Sequence, residues 1–237
     1  MMIKALLFDL DGTLLPMNDE KFTKFYLALL AKKFCELGYD GEKAIRSVWN
    51  GLEYMVANKG QTTNEDAFWK GFFASMKDEL HHSKEELHQL LTSFYEHEFH
   101  EAKQATMPNE IAKLLIDKAK NADVTLILAT NPIFPKVAVA QRLSWISLTV
   151  DDFDDVTSYE TSHYCKPNPA YFQEILDKHQ LTSDECIMFG NDMKEDIESA
   201  SSIGIQSYLI NDNPIGEISD HLKIPTCSLI ELYNAFK

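Results

Sequence analysis

The sequence has few features that would direct it to a membrane, to nucleic acid or into an oxidising compartment. No apolar stretch approaches the ~18 residues of a transmembrane helix, so we expect no membrane span. Acidic residues outnumber basic ones by 37 to 22, which gives a net charge of −15. Nucleic acids and anionic membranes bind basic surfaces, and neither is therefore expected as a partner. The four cysteines contain no C-x-x-C pair, which is typical of free thiols in a reducing compartment, and we expect a cytoplasmic protein.

Short apolar runs indicate buried strands. The segments "IKALLFDL", "VTLILAT" and "CIMFG" contain few polar residues before their carboxyl ends, and "IQSYLI" is a weaker example. This pattern is typical of parallel strands that are covered on both faces. Helical segments separate the later strands, and strands that alternate with helices of this length predict an α/β fold with a parallel sheet.

The stretch from residue 17 to residue 105 interrupts this alternation. It contains no convincing strand, and its apolar residues recur at helical spacing over four segments. The residues predicted to cap these helices are Asn18, Asp40, Asn64 and Ser83, the last within the capping box "SKEE". We therefore predict an α/β core formed by residues 1–16 and 106–237 and an inserted four-helix cap formed by residues 17–105.

Polar side chains follow the predicted strands at their carboxyl ends. In open α/β sheets, ligands bind at this edge, so these residues are candidates for a functional site. A lysine that precedes a proline-rich helix start in "CKPNPAYF" joins them. The candidate residues are Asp9, Asp11, Thr130, Asn131, Lys166, Asn191, Asp192 and Asp196.

These residue types suit phosphoryl transfer. Asp9 and Asp11 point to the same side of a strand, and two such carboxylates repel unless a cation joins them. With Asp192 they form an all-oxygen environment, which suits Mg²⁺. Asp9 could attack phosphorus, while Asp11 could give a proton to the leaving oxygen and later take one from water. Thr130 and Lys166 would offset the negative charge of the phosphoryl oxygens.

Four motifs occur in an order that resembles one enzyme superfamily. They are "FDLDGTLL", "LILAT", "KPNPAYF" and "FGNDMKEDIESA". Together they are similar to the four motifs of the haloacid dehalogenase (HAD) superfamily, and the inserted helical block resembles the cap of its subfamily I, or type C1, members. The resemblance covers nearly the whole chain, and it implies a Rossmann-like core.

The resemblance also implies roles for the candidate residues. Asp9 would be the nucleophile and Asp11 the acid/base, while Thr130, Asn131 and Lys166 would hold the phosphoryl group. The Asp9 carboxylate, the Asp11 backbone carbonyl and Asp192 would bind Mg²⁺. The implied activity is Mg²⁺-dependent hydrolysis of a small phosphorylated metabolite through an aspartyl phosphate, by a monomer or a homodimer.

One motif departs from the pattern of many relatives. They have G-D in the fourth motif, whereas this chain has G-N-D, so that Asn191 stands where the first acid is usual and Asp192 follows. Asn191 could hold a metal-bound water, and Asp196 could orient Lys166 or a ligand water. Asp196 could equally be a favourable acid in the first turn of a helix.

Three other functions are compatible with the same motifs. A phosphomutase similar to β-phosphoglucomutase would use the same residues and return the phosphoryl group to a sugar. A haloacid dehalogenase would need no Mg²⁺, but that branch typically lacks an acid two residues after the nucleophile, so Asp11 favours phosphate chemistry. The third alternative is a non-catalytic binding protein on the same fold, for which Asn191 is the best argument.

Overall fold

A parallel β-sheet forms the centre of the molecule. The computed structural model describes residues 2–217 and 224–236. Among these residues six parallel strands pair in the order β3-β2-β1-β4-β5-β6. Their bounds are β1 Ala5–Phe8, β2 Thr125–Leu128, β3 Asp155–Val156, β4 Cys186–Gly190, β5 Gln206–Ile210 and β6 Thr226–Cys227.

The central strand β1 shows why an apolar run indicates a buried strand. Every residue of β1 is buried, because β2 and β4 pair with its two edges and helices cover the faces of the sheet. The predicted α/β, Rossmann-like parallel sheet is confirmed. The two-residue strands β3 and β6 were not predicted, since each is too short to produce an apolar run.

Helices occupy most of the chain between β1 and β2. Those in this interval are α1 Asp19–Glu36, α2 Gly41–Val56, α3 Asn64–Met76, α4 Lys84–Glu96 and α5 Glu110–Ala119, with 3-10 segments at Lys77–Glu79 and Glu98–Ala105. The division into a core and a cap stays a prediction.

Further helices connect the later strands. They are α6 Lys136–Ser144, α7 Ala170–His179, a π-helical segment Met193–Glu198 that continues into α8 Ser199–Ser201, and α9 Leu229–Ala235, with 3-10 turns at Val150–Asp152 and Ser183–Glu185. No helix in the described part of the chain is long and apolar enough to cross a membrane.

Side-chain caps fix where the inserted helices begin. Asn18, Asp40 and Ser83 each accept a hydrogen bond from a backbone N–H in the first turn of the helix that follows, as predicted. The prediction for Asn64 was wrong, because the Thr63 hydroxyl caps α3 and Asn64 is its first helical residue. The Asn64 side chain is instead buried, and its amide donates to backbone carbonyls in the loops that follow β2 and β3.

Candidate active site

A buried lysine lies between two carboxylates at the carboxyl edge of β1. The Lys166 Nζ atom lies 3.0 Å from Asp9 Oδ1 and 2.6 Å from Asp196 Oδ1. The three residues are between 1% and 7% exposed. Burial disfavours the ammonium form, but the carboxylates of Asp196 and Asp9 outweigh it and raise the pKa of Lys166 well above its ordinary value. Lys166 is therefore a fixed positive charge beside the predicted nucleophile.

The second oxygen of Asp9 is held by the turn that follows β1. The Thr13 hydroxyl lies 3.0 Å from both Asp9 Oδ2 and Asn191 Oδ1, and its single hydrogen can serve one of them at a time. Asn191 is oriented by its own amide, which donates to a backbone carbonyl after β5. Gly12 has a φ of +81°, and a Cβ there would lie 2.2 Å from Asn191 Nδ2. Only glycine therefore fits this turn.

Asp192 lies at the end of β4 and begins the π-helical segment. Its Oδ1 atom accepts hydrogen bonds from the backbone N–H groups of Lys194 and Glu195, each at 2.8 Å. Its own backbone N–H donates to Asp196 Oδ2 at 3.0 Å. Asp196 thus contacts Lys166 with one oxygen and the backbone of Asp192 with the other. The Oδ2 atom of Asp192 takes no part in these bonds.

The residues after β2 complete the edge of the site. Asn131 Oδ1 accepts from the backbone N–H of Lys166 at 3.2 Å, and its amide donates to Glu195 Oε2 at 2.9 Å. Thr130 is buried, and its carbonyl accepts from the Tyr171 hydroxyl at 3.0 Å. These bonds tie the loop after β2 to the segments that carry Lys166 and the fourth motif.

Asp11 is bound to an arginine that sequence analysis did not select. The Arg142 side chain is fully buried in α6, and its Nη1 atom donates to Asp11 Oδ2. Its guanidinium carbon lies 4.4 Å from the ring centroid of Phe134. Burial raises the pKa of Asp11 above its ordinary value, although the guanidinium works against this and the side chain remains 29% exposed. The structure therefore turns the Asp11 carboxyl towards Arg142, and the Lys166 ammonium contacts Asp9 and Asp196 instead.

A family model decides the identity of the chain. The model for haloacid dehalogenase-like hydrolases matches residues 3–204. The chain is a haloacid dehalogenase-like hydrolase. Relatives with curated names agree with this. A phosphoglycolate phosphatase from Vibrio cholerae is 30% identical to the hydrolase over 213 residues, which are 87% of this chain and 83% of the relative. One from Aliivibrio fischeri is 28% identical over 211 residues, which are 88% and 84% of the two chains.

Solved structures of other family members share the fold of this hydrolase. A 2-haloacid dehalogenase from Pseudomonas syringae has a TM-score of 0.64 at 18% identity, with 98% of this chain and 97% of that chain covered. A HAD phosphatase from Thermococcus onnurineus has a TM-score of 0.58 at 21% identity and the same coverage. These TM-scores establish a common fold for the hydrolase. Sequence identities this low do not identify its substrate.

Three residues of the hydrolase site were missed from sequence. Thr13 was quoted within D-G-T but not selected, Glu195 follows Asp192 by three residues, and Arg142 lies outside the four motifs. A signal for Arg142 was available, because it is one of only two arginines in the chain and lies in the otherwise largely apolar run "VAVAQRLSW". A charge at such a position is rarely buried without a partner.

Arg142→Gln is expected to lower kcat of the hydrolase about ten- to hundredfold, because Asp11 would lose the group that orients it. The matched control is Arg46→Gln, since Arg46 is exposed on α2 and, among the described residues, pairs with Glu42 on the same helix. Steady-state kinetics and thermal unfolding of both variants test this. An Arg142 variant that folds and retains full kcat would contradict the role of the ion pair.

Proposed function

We propose that the chain is a Mg²⁺-dependent phosphatase that hydrolyses a small phosphorylated metabolite through an aspartyl phosphate on Asp9. The observation that carries the proposal is the buried Asp9–Lys166–Asp196 arrangement, with Nζ 3.0 Å from Asp9 Oδ1. The curated names of the relatives, which are phosphoglycolate phosphatases, support phosphate-ester chemistry.

In the first step an Asp9 oxygen attacks phosphorus, and the bond from phosphorus to the leaving oxygen breaks. Lys166 orients Asp9 for this attack through the contact between Nζ and Oδ1. Its ammonium group has three hydrogens, of which Asp9 and Asp196 accept two, so one is left for a phosphoryl oxygen. The Thr130 hydroxyl and the backbone N–H of Asn131 would donate to the same group at the edge of the sheet, since the Asn131 side-chain amide already donates to Glu195.

Asp11 would supply the proton that the leaving oxygen needs. Burial raises the pKa of its carboxyl and so favours the protonated form that can donate. Arg142 would fix the direction in which the carboxyl presents this proton. In the second step the ionised Asp11 takes a proton from water, whose oxygen attacks phosphorus. The bond from phosphorus to the Asp9 oxygen breaks, which releases inorganic phosphate and restores the Asp9 carboxylate.

The donor set fits Mg²⁺. Lys166 contacts the carboxylates of Asp9 and Asp196, and Asp192 and Glu195 follow β4 at the same edge of the sheet, so that carboxylates outnumber the buried lysine there. The Asp9 and Asp192 carboxylates with the Asp11 backbone carbonyl would hold the ion, and all three are the oxygen ligands that Mg²⁺ prefers. In the described ranges no group of three or more His, Cys, Asp or Glu side chains is placed to hold a metal ion, so the proposed ligands are two carboxylates and a backbone carbonyl. When bound, Mg²⁺ neutralises phosphoryl charge and orients that group for attack.

Metal dependence is expected to be strong. Treatment with EDTA should reduce the release of inorganic phosphate from a panel of phosphorylated metabolites about a hundredfold, because charge neutralisation by a metal contributes several kcal/mol. Excess Mg²⁺ should restore it.

The same panel tests the competing functions. Inorganic phosphate as the product separates a phosphatase from a phosphomutase, which would return phosphate to a sugar. Chloride release from a haloacid in EDTA would instead support a dehalogenase. Phosphate release that EDTA leaves unchanged would contradict the proposed metal dependence.

A further inference from the structure

The asparagine that begins α3 is buried against two loops of the proposed site. Asn64 is 0% exposed, although it lies in the helical region between β1 and β2. Its amide nitrogen lies 3.3 Å from the carbonyl oxygen of Pro132 and 3.3 Å from that of Tyr164, and the Cys165 sulfur, a weaker acceptor, lies 3.4 Å away. An amide nitrogen has two hydrogens, so it can donate to both carbonyls at once. Asn64 therefore joins the loop after β2 to the segment that precedes α7.

Both carbonyls lie close in sequence to a proposed phosphoryl-binding group. Pro132 follows Thr130 by two residues. Tyr164 precedes Lys166 by two residues. A change in the spacing of the two loops would therefore move the Thr130 hydroxyl relative to the Lys166 ammonium group. A displacement of about 1 Å in an active site can cost about a hundredfold in rate, so the spacing that Asn64 spans matters for the reaction.

Other hydrogen bonds hold Asn64 in place. The Asn58 side-chain amide donates to Asn64 Oδ1 at 3.1 Å, which leaves Nδ2 to face the two carbonyls. The backbone N–H of Asn64 donates to the Ser162 carbonyl at 2.8 Å. The backbone N–H of Glu65 donates to the Tyr159 carbonyl, also at 2.8 Å. Since the first N–H groups of a helix need partners outside it, these bonds seat the start of α3 on the segment after β3.

Apolar contacts surround these hydrogen bonds. A small buried cluster joins α2 and α3 to the same segment, and it consists of Met55, Ala67, Tyr159 and Cys165. Pro132 is also buried, and a buried carbonyl that loses its donor is unfavourable. Loss of the Asn64 amide would therefore favour a movement of the loop after β2.

We infer that Asn64 is a positioning residue for phosphoryl transfer, because its amide holds the loops of Thr130 and Lys166 at the spacing that a bound phosphoryl group requires. This inference rests on the proposed phosphatase function. Asn64 acts through the two loops rather than on phosphate, since the carbonyls use both hydrogens of its amide. The phosphoryl-binding groups thus reach their working distance only while the start of α3 is seated on both loops.

Asn64→Asp tests the inference with little change in shape. The carboxylate keeps one oxygen for Asn58, but its second oxygen replaces both hydrogens and is repelled by the carbonyls of Pro132 and Tyr164. We expect kcat for the hydrolysis of 4-nitrophenyl phosphate to fall about tenfold. The affinity for inorganic phosphate in the presence of Mg²⁺, measured by isothermal titration calorimetry, should fall by a similar factor.

The affinity for Mg²⁺ alone separates positioning from a general loss of structure. The proposed metal ligands are Asp9, Asp11 and Asp192, and the Asn64 amide contacts none of them. Calorimetry with MgCl₂ should therefore give the same affinity within twofold for Asn64→Asp and for the wild-type protein.

Asn50→Asp is the matched control. Asn50 lies on α2, and its side-chain amide donates to the Gly71 carbonyl of α3, so the variant removes the same kind of bond without involving either loop. It should leave kcat and phosphate affinity within twofold of wild type even where thermal unfolding shows a loss of stability. Should Asn64→Asp fail to fold, Asn64→Ser, which is neutral and keeps one donor, should lower both quantities about threefold.

The outcomes separate this inference from the function on which it rests. A folded Asn64 variant with wild-type kcat and phosphate affinity overturns the inference and leaves a phosphatase. Equal losses in Asn64→Asp and Asn50→Asp also overturn it, because they would reflect the stability of the helical region alone. A wild-type protein that hydrolyses neither 4-nitrophenyl phosphate nor any phosphorylated metabolite would overturn the phosphatase function itself.

Discussion

Replacing Asp9 with asparagine is expected to lower phosphate release about 10⁴-fold or more, in line with the loss of an enzymatic nucleophile. The amide that replaces the Asp9 carboxylate is a poor nucleophile. The fold should persist, because asparagine has the same shape and Lys166 keeps its contact with Asp196 at 2.6 Å. Phosphate release under saturating Mg²⁺ measures the effect.

Asp123→Asn is the matched control for this variant. Asp123 is an exposed residue before β2, so the same chemical change there should leave activity within twofold of the original protein. Wild-type activity in a folded Asp9→Asn protein would instead favour a non-catalytic binding role, or a site elsewhere.

Lys166→Met should damage both activity and stability. The loss of one charged donor to the phosphoryl group lowers kcat by about 10²- to 10³-fold. The methionine also leaves two buried carboxylates without their cation, and breaking such a pair costs about 3–5 kcal/mol of the free energy of unfolding. Urea titration measures the second effect and steady-state kinetics the first.

A double variant separates the two effects of Lys166. In Lys166→Met with Asp196→Asn one of the unpaired carboxylates is removed, so stability should recover in part while activity does not. Lys33→Met is the control, because Lys33 in α1 pairs with Glu98, away from the Lys166 carboxylates, and is 16% exposed. A double variant that regained activity would contradict a role of Lys166 at the phosphoryl group.

Features set by local chemistry could be predicted from the sequence. The strands β1, β2, β4 and β5 correspond to quoted apolar runs because burial on both faces demands such runs. Asn18, Asp40 and Ser83 cap helices because their side chains satisfy backbone N–H groups within three residues. The structure also places Asp9, Lys166 and Asp196 in contact, as expected of polar residues at neighbouring strand ends.

Features set by distant contacts could not be predicted in this way. Thr63 and Asn64 are both favourable N-cap residues. Thr63 caps α3 because the Asn64 amide donates instead to two backbone carbonyls in loops far along the chain. Arg142 pairs with Asp11 across 131 positions of sequence. The short strand β3 forms because it pairs with the edge of β2, and no local sequence pattern predicts that pairing.

The position of β1 in the sheet has a consequence for synthesis on the ribosome. Ala5 leaves the ribosome before both of the residues with which it pairs, which are Thr125 on one side and Cys186 on the other. At translation rates of ~5–20 residues per second, this apolar strand waits on the order of ten to forty seconds for its second neighbour. At least one of its hydrogen-bonding edges stays open during that time, so the nascent chain should depend on chaperones. The denatured protein should refold slowly, because long-range pairing limits the folding rate.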